Sequence, residues 1–307
     1  MSYALKARGV DVVFGIPGVH NQELYRGLEE AGLRHILARH EQGAGFMADG
    51  YARATGRAGV AFVITGPGLC NIMTALGQAY SDSVPLLVFS SCLDDIETRK
   101  GQLHQMKDQL AAAATVCDWS EPAQSDAQVY RLMDQAFAEF AHQRPRPSDT
   151  DHVFGRGGAS RAGCATAAPR PSARGGRYRK SSRDAALGEK AVGYFRGGRA
   201  RGFRDAVIAA AGCCKLYHLR RAGVVDRAYP LHCGSLLARS GAKSVLGSAD
   251  LVLVIGSELS EGDLWRADLG HKAPLIRVDL DPEVLTDSHQ AELAILMRAE
   301  AFVPALL

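Results

Sequence analysis

The feature that most constrains the fold of this 307-residue chain is a set of short, wholly apolar segments. Residues 59–64 (Gly-Val-Ala-Phe-Val-Ile) and 85–90 (Pro-Leu-Leu-Val-Phe-Ser) have the length of strands and lack the polar alternation of half-exposed strands. Such strands are typical of parallel sheets, whose two faces are both covered by helices. Because segments with helical spacing separate them, the first half of the chain predicts an α/β domain with a doubly wound parallel sheet.

Further elements follow the same alternation of strand and helix. By their patterns we predict strands at residues 10–16 and 35–38, helices at 41–55 and 126–140, and a helix that begins near Asn71. In the helix at 41–55, a stripe of small side chains is formed by Ala44, Ala48 and Ala52. This stripe allows another helix or a subunit to approach closely.

A change in composition divides the chain into three predicted segments. Residues 1–147 form the first α/β domain. Residues 148–222 are rich in Arg and Gly, poor in acidic residues and mostly without helical or strand periodicity, which predicts an irregular linker. Order returns in residues 223–307, where apolar runs at 249–256 and 275–279 predict two strands of a partial second α/β domain.

Bulk composition favours a cytoplasmic globular protein. The net charge of +3 is too small to indicate a nucleic-acid or membrane ligand, although the Arg/Gly tract could bind RNA as a flexible cationic segment. The first residues carry no apolar signal core, and the longest apolar runs have the length of strands rather than of membrane spans. The seven cysteines form no C-x-x-C pair, which is typical of reduced thiols.

Glu41 is the strongest candidate for a catalytic side chain. It lies in the segment Arg39-His-Glu-Gln-Gly-Ala-Gly45, where a predicted strand is followed by the start of the predicted helix at 41–55. The helix dipole favours the ionised carboxylate, whereas burial favours the neutral acid. A glutamate balanced between these effects can bond to a ring nitrogen and exchange a proton with it. Taken alone, the position equally suits an ordinary glutamate at a helix N-terminus.

The surrounding segments indicate a cofactor-binding role. Together with the Glu41 segment, a set of three segments resembles the pyrimidine-binding domain of thiamine-diphosphate enzymes, especially the acetolactate synthase group: Gly15-Ile-Pro-Gly-Val-His-Asn21, Thr65-Gly-Pro-Gly-Leu-Cys-Asn71 and Gly77-Gln-Ala-Tyr-Ser-Asp-Ser-Val-Pro85. The resemblance covers residues 8–147, and residues 249–281 resemble the end of the same family's central domain. It implies a decarboxylase or carboligase of 2-oxo acids that uses thiamine diphosphate.

The resemblance also implies roles for individual residues. Glu41 matches the glutamate that hydrogen-bonds N1′ of the aminopyrimidine and so promotes loss of the C2 proton of the thiazolium ring. The residues that match the lining of the pyrimidine site are Pro17, Gly18, Gly66, Pro67, Gly68 and Asn71. In the family this site faces a partner subunit, so a homodimer is implied.

Four residues are candidates for contact with the substrate, namely Val19, His20, His104 and Gln105. Val19 stands where simple decarboxylases of the family carry a polar or acidic residue, which disfavours the pyruvate decarboxylase type. His104 and Gln105 lie in residues 101–109, which resemble a loop that approaches the substrate in relatives, including decarboxylases of arginine-derived 2-oxo acids. An ordinary polar surface loop explains residues 101–109 equally well.

Two parts of the family pattern are missing. The Gly-Asp-Gly motif and later Asn that hold magnesium and the diphosphate do not occur, and Gly262-Asp263-Leu264 is followed by Trp265. We therefore expect a chain truncated before the pyrophosphate domain and inactive alone, with the expected Mg lacking its ligands. Because the central domain is partial, we do not predict an FAD site. The alternatives are a non-catalytic remnant that dimerises and one subunit of a split enzyme.

The second missing part lies between residues 147 and 223. Relatives continue from the Arg-Pro-Arg-Pro turn into an apolar strand, whereas this chain continues with Ser-Asp-Thr-Asp and the Arg/Gly tract. We hypothesise that residues 148–222 are out-of-frame translation of a GC-rich gene, with a natural insertion as the alternative. A family-like strand and helix pattern in one of the other two reading frames would support the hypothesis.

Overall fold

The computed structural model describes most of the chain, namely residues 1–93, 101–153, 191–195, 214–217, 232–234, 236–299 and 301–302. The chain forms two compact units, Met1–Arg170 and Pro171–Leu307. Within the residues just given, no helix combines the length and the apolar character that crossing a membrane requires.

The first unit contains a six-stranded sheet. Its strands are β1 (Val12–Gly15), β2 (Arg34–Leu37), β3 (Gly59–Val63), β4 (Leu86–Cys92), β5 (Trp119–Ala123) and β6 (Ser148–Val153). They are ordered β2-β1-β3-β4-β6-β5, and every neighbouring pair is parallel. The helices between them are α1 (Ser2–Ala7), α2 (Gln22–Arg26), α3 (Glu41–Thr55), α4 (Pro67–Asp82), α5 (Gln109–Ala114) and α6 (Asp126–His142).

Apolar side chains cover both faces of this sheet. One core joins residues of α1, α2 and α6 to Val60 and Phe62 of β3, and the other joins residues of α3, α4 and α5 to Ala61 and Val63 of the same strand. Successive residues of β3 thus enter opposite cores, as the two-residue period of a strand requires. The predicted doubly wound α/β fold is confirmed.

Helices α3 and α4 pack closely because their contact is lined by small residues. A Cβ atom on Gly45 would lie 2.5 Å from Cβ of Ala75, and Ala44, Ala48 and Ala52 are buried beside it. The predicted small-residue stripe therefore receives α4. Helix α4 begins at Pro67, four residues before the predicted start near Asn71, because proline is well suited to the first position of a helix.

The second unit contains another six-stranded parallel sheet, with the order β12-β11-β10-β7-β8-β9. Its strands are β7 (Ala191–Phe195), β8 (Cys214–Tyr217), β9 (His232–Gly234), β10 (Leu251–Ile255), β11 (Leu275–Asp279) and β12 (Leu293–Leu296). Its described helices are α7 (Ser240–Gly247), α8 (Glu261–Leu264) and α9 (Pro282–Leu285). The sequence predicted β10, a continuous apolar run, and β11, in which apolar residues flank Arg277, but not the other four strands.

Three strands, β6, β7 and β8, lie in the stretch 148–222 that we expected to be irregular. Strand β6 is inserted between β4 and β5 and pairs with both. Its sequence Ser-Asp-Thr-Asp-His-Val has no apolar pattern, so only pairing with its neighbours marks it as a strand. The remainder of the stretch lies outside the described residues, and the limits of the three predicted segments stay a prediction.

Candidate functional site

The predicted site residues lie in the loops, or at the starts of the helices, that follow the carboxyl ends of β1, β2, β3 and β4. From β1 the chain passes to β2 on one side and then to β3 on the other, so β1 and β3 flank a topological switch point. Open α/β sheets bind ligands in the crevice at such a point. Residues 16–21 follow β1, Glu41 follows β2, and residues 64–68 follow β3.

Glu41 is the first residue of α3, and only 8% of its surface is exposed. Asn71 of α4 donates a hydrogen bond from Nδ2 to Oε2 of Glu41, with a distance of 2.8 Å. Among the described residues, Oε1 of Glu41 has no hydrogen-bond partner. The structure thus brings together two predicted site residues that are 30 positions apart, and Asn71 fixes the orientation of the carboxylate.

Tyr25 interacts electrostatically with Glu41, and the sequence did not indicate this. Its hydroxyl donates a hydrogen bond to the carbonyl oxygen of Phe62 at 3.2 Å. Burial, and secondly the negative charge of Glu41, raise the pKa of Tyr25 well above its usual range. Tyr25 is therefore a neutral hydroxyl that interacts electrostatically with the carboxylate of Glu41. An aromatic residue in a short helix, between Leu24 and Arg26, carries no local sign of this role.

The turn at Gly66 is shaped by the loop at residues 101–108. Gly66 has a φ of +67°, and a Cβ atom there would lie 2.1 Å from the carbonyl oxygen of His104. Glycine tolerates both the positive φ and the close approach. The space beside Gly66 is filled by the backbone of His104. Gly68 is similarly close to Ile64.

Gln109 connects this loop to the sheet and was missed by the sequence analysis. Its Oε1 accepts a hydrogen bond from the amide of Gly66 at 2.8 Å, and its Nε2 donates to the carbonyl oxygen of Ser91 at 2.8 Å. Thr65 is bonded to the same serine, through its amide to Oγ at 3.0 Å and through its own Oγ1 to the carbonyl oxygen at 2.8 Å. The only local signal for Gln109 is its place directly after Asp108, which caps α5.

The turn that follows β1 is stabilised by hydrogen bonds to the buried side chain of Asn21. This fully buried side chain accepts a hydrogen bond from the amide of Gly18 at 2.6 Å and donates one to the carbonyl oxygen of Ile16 at 3.2 Å. The predicted lining residues Pro17 and Gly18 are thereby fixed. Val19, in contrast, is 62% exposed and points away from the core.

Of the four candidate substrate residues, the structure brings together His20 and His104. Their rings are in edge-to-face contact, with centroids 5.5 Å apart. Gln105 is placed differently, because its Oε1 accepts hydrogen bonds from the amides of Gly101 and Gln102 at 3.0 and 3.2 Å. The side chain of Gln105 therefore stabilises its own loop.

Models of known protein families match two regions of the chain. Residues 1–112 match the family model described as "Thiamine pyrophosphate enzyme, N-terminal TPP binding domain", and residues 197–306 match "Thiamine pyrophosphate enzyme, central domain". Together the two regions include well over half of the chain. The second region begins within the stretch 148–222 that we expected to be irregular.

Several curated relatives are similar along the chain. "Probable 2-ketoarginine decarboxylase AruI" of Pseudomonas aeruginosa is 41% identical over 97% of this chain and 55% of that protein. "Acetolactate synthase isozyme 2 large subunit" of Escherichia coli is 28% identical over 99% of this chain and 57% of that protein. The chain thus spans about half the length of these relatives. It belongs to the thiamine pyrophosphate enzyme family, in the group that contains the acetolactate synthases.

Proposed function

We propose that this chain supplies the pyrimidine-binding half of the active site of a thiamine-diphosphate-dependent decarboxylase or carboligase of 2-oxo acids. The observation that carries the proposal is the buried carboxylate of Glu41, held by Asn71 at the carboxyl edge of the first sheet. The names of two relatives, a 2-ketoarginine decarboxylase and an acetolactate synthase, support the reaction class.

The residues present fit an aminopyrimidine. Oε2 of Glu41 is occupied by Asn71, and Oε1, without a described partner, remains to bond a ring nitrogen. A hydrogen bond to an ionised group is strong where little water competes, as at a carboxylate this buried. When bound, thiamine diphosphate supplies a stabilised carbanion for attack on the substrate carbonyl. In our proposal Glu41 exchanges a proton with the ring nitrogen, and Asn71 keeps the carboxylate in position.

We propose that residues outside these 307, in the same or another chain, bind magnesium and the diphosphate. Asp263, the acidic residue of Gly262-Asp263-Leu264, has a structural role in the second unit. Its Oδ2 accepts hydrogen bonds from Oγ of Ser257 and the amide of Ser260, both at 3.3 Å, and it completes a capping box at the start of α8. A carboxylate engaged in this way is a poor candidate for a magnesium ligand.

A non-catalytic protein that dimerises is the second candidate function. Phe46 and Met47 of α3 are 42% and 36% exposed, which is unusual for large apolar side chains. They lie on the helix that begins at Glu41. A second copy of the chain that covers them would complete the same edge of the sheet that the catalytic proposal uses.

Calorimetric titration of the whole chain with thiamine, and with thiamine diphosphate plus Mg²⁺, tests the catalytic proposal. Thiamine lacks the diphosphate and so reports on the pyrimidine half alone. We expect Glu41→Gln to weaken thiamine binding by roughly 10- to 100-fold, because it removes a charged hydrogen-bond acceptor. Glu30→Gln, at an exposed glutamate, is the matched control and is expected to have no effect.

The outcomes separate the two functions. Equal thiamine affinity in the parent chain and a folded Glu41→Gln variant would contradict the proposed role of Glu41. Absence of heat with either ligand, together with a concentration-dependent dimer in light scattering, would favour the non-catalytic alternative.

A further inference from the structure

Strand β12 lies at one edge of the second sheet, where β11 is its neighbour on the inner side. Its four residues, Leu-Ala-Ile-Leu, are all apolar. Leu293 is 42% exposed and Leu296 is 62% exposed. Because side chains alternate along a strand, these two leucines lie on opposite faces of the sheet. Strand β12 therefore presents apolar side chains on both faces, beside an open row of backbone groups.

The other edge strands of the two sheets carry features that discourage pairing with another chain. Strand β5 contains Pro122 and the exposed Glu121, β2 begins with the exposed Arg34, and β9 has only three residues. Proline, charged side chains and short length are devices by which native proteins protect edge strands. Strand β12 contains neither proline nor a charged residue. Its edge is thus open to a further strand.

The direction of the backbone groups limits how a further strand can pair. The amide of Met297, directly after β12, donates a hydrogen bond to the carbonyl oxygen of Asp279 in β11 at 2.9 Å. The N–H and C=O groups of one residue point to the same side of a strand, and this side alternates along the chain. Because Met297 points toward β11, Ala294 and Leu296 present their N–H and C=O groups on the open side.

A second copy of β12 fits this open side. Two identical strands related by a two-fold axis run antiparallel, and the contact between them is self-complementary. In an antiparallel pair, two residues that face each other can exchange both N–H···O bonds. Ala294 of one copy can therefore pair with Leu296 of the other. In this register Ile295 lies opposite Ile295 of the second copy.

The charges that flank β12 favour this register over its neighbours. It places Glu292 opposite Arg298 of the second copy, and the two-fold axis repeats this pair. Opposite charges that face each other across two strands are favourable, whereas like charges are not. A shift in either direction, with Ala294 or Leu296 opposite itself, separates the two charges. The sequence around the strand is thus complementary to itself in one register.

We propose that β12 binds β12 of a second copy of this chain, in an antiparallel pairing that joins the two second sheets into one. The contact lies in the second unit and does not depend on the proposed role of Glu41. Because the paired segment is only four residues long, the interface is small and the association is weak and concentration-dependent.

Sedimentation velocity of the whole chain over a range of concentrations tests the proposal. We expect the sedimentation coefficient to rise with concentration. Leu296→Lys should weaken the association at least about 10-fold, because a lysine on an edge strand opposes pairing. Leu236→Lys is the matched control, since Leu236 is a 48% exposed leucine of the same unit, and it should leave the association unchanged. A parent chain that stays monomeric, or equal association of a folded Leu296→Lys variant, would overturn the proposal.

Disulfide trapping tests the register. The proposed register makes Ile295 and its counterpart a non-hydrogen-bonded pair, whose Cα atoms are about 4.5 Å apart and within the reach of a disulfide. With diamide as the oxidant, we expect Ile295→Cys to form a linked dimer at least about 10-fold faster than Ala294→Cys. Peptide mapping distinguishes this link from one through the exposed Cys70. Faster linkage of Ala294→Cys, or no linkage at either position, would contradict the proposal.

Comparison with the thiamine titration separates this proposal from the proposed function. Loss of association in Leu296→Lys with unchanged thiamine binding would support the β12 contact, whatever the role of Glu41. Association that persists in Leu296→Lys would place the contact on another surface, such as the exposed Phe46 and Met47, and would reject the β12 contact alone.

Discussion

Strands β3 and β6 lie on either side of β4 in the same sheet, yet their sequences are opposite in character. In the aligned register, Val60, Ala61 and Phe62 of β3 correspond across β4 to Ser148, Asp149 and Thr150 of β6. All six residues are buried. The comparison teaches that a central place in a sheet does not require an apolar strand, although a polar one is less favourable there.

The unfavourable features of β6 can be identified by atom. Asp149 is completely buried and accepts hydrogen bonds from Oγ of Ser90 at 2.9 Å and Oγ of Ser120 at 3.0 Å. Burial nevertheless raises the pKa of Asp149 to about 6. Ser148 and Thr150 have buried hydroxyl oxygens without a partner among the described residues. Buried hydroxyls of this kind each cost about 1–3 kcal/mol.

The largest effect on the free energy of unfolding is expected for a substitution in the apolar strand β3. Phe62 is fully buried between the rings of Tyr25 and Phe89, with centroid distances of 5.5 and 5.4 Å. We expect Phe62→Ala to lower the free energy of unfolding by about 3–5 kcal/mol, because it leaves a cavity between both neighbours. Urea unfolding measures the loss. Phe140→Ala, at a half-buried ring on α6, should cost clearly less. Equal losses of stability in Phe62→Ala and Phe140→Ala would contradict the larger contribution that we assign to the fully buried ring of Phe62.

The next largest effect is the dependence of stability on pH that arises from the carboxyl group of Asp149 in β6. Because the folded pKa of Asp149 lies above its ordinary value of 3.8, its contribution to stability is fully present below pH 3.8 and is lost as the pH rises through about 6. We expect Asp149→Asn to remove this pH dependence and to raise the free energy of unfolding at about pH 7.5 by on the order of 3 kcal/mol. The two proteins should unfold alike at low pH. Urea titrations across the pH range measure the difference.

Asp11→Asn is the matched control for the charge. Asp11 is exposed, and its pKa is lowered by Lys6 first and also by Arg57. Its contribution is therefore present at neutral pH and lost on acidification, which is the opposite sign to that of Asp149. An identical pH profile for both variants would show that the burial of Asp149 has no energetic consequence.

The smallest effect is expected from one hydroxyl. Thr150→Val keeps the shape of the side chain and removes a buried, unpartnered oxygen, so we expect a gain of about 1–2 kcal/mol in the free energy of unfolding. Thr65→Val is the control, because its Oγ1 donates to the carbonyl oxygen of Ser91 at 2.8 Å, and it should lose about 1 kcal/mol. Thermal unfolding of both variants tests the opposite signs. Losses in both would indicate that the Thr150 hydroxyl is paired in solution.

Strand β6 also sharpens the hypothesis that residues 148–222 are translated out of frame. The strand lies where an apolar strand would fit best, between β4 and β5. If one of the other two reading frames of the coding DNA encodes apolar residues at positions 148–153, this would support the hypothesis strongly. Such a result would be stronger support than a family-like strand and helix pattern elsewhere in residues 148–222. The hypothesis stays a prediction until the coding DNA is read.

The sequence by itself determined those elements whose patterns are local. Strands β3 and β10 are continuous apolar runs, β4 and β11 are largely apolar, and α3 and α6 have helical spacing with clear starts. Glu41 was found for the same reason, since its segment and the Gly66 turn are contiguous motifs. Strand β5 and helix α5 were not predicted, because short segments of mixed polarity resemble loops.

Only the tertiary structure decided how the site is assembled. The bond between Asn71 and Glu41, the tie of Gln109 to Gly66, and the contact of His20 with His104 join residues 30 to 84 positions apart. No local pattern specifies such pairs, because parallel strands bring distant loops to one edge only after the sheet has formed. The sequence therefore determined the family and the candidate carboxylate of Glu41, and the sheet decided which side chains accompany it.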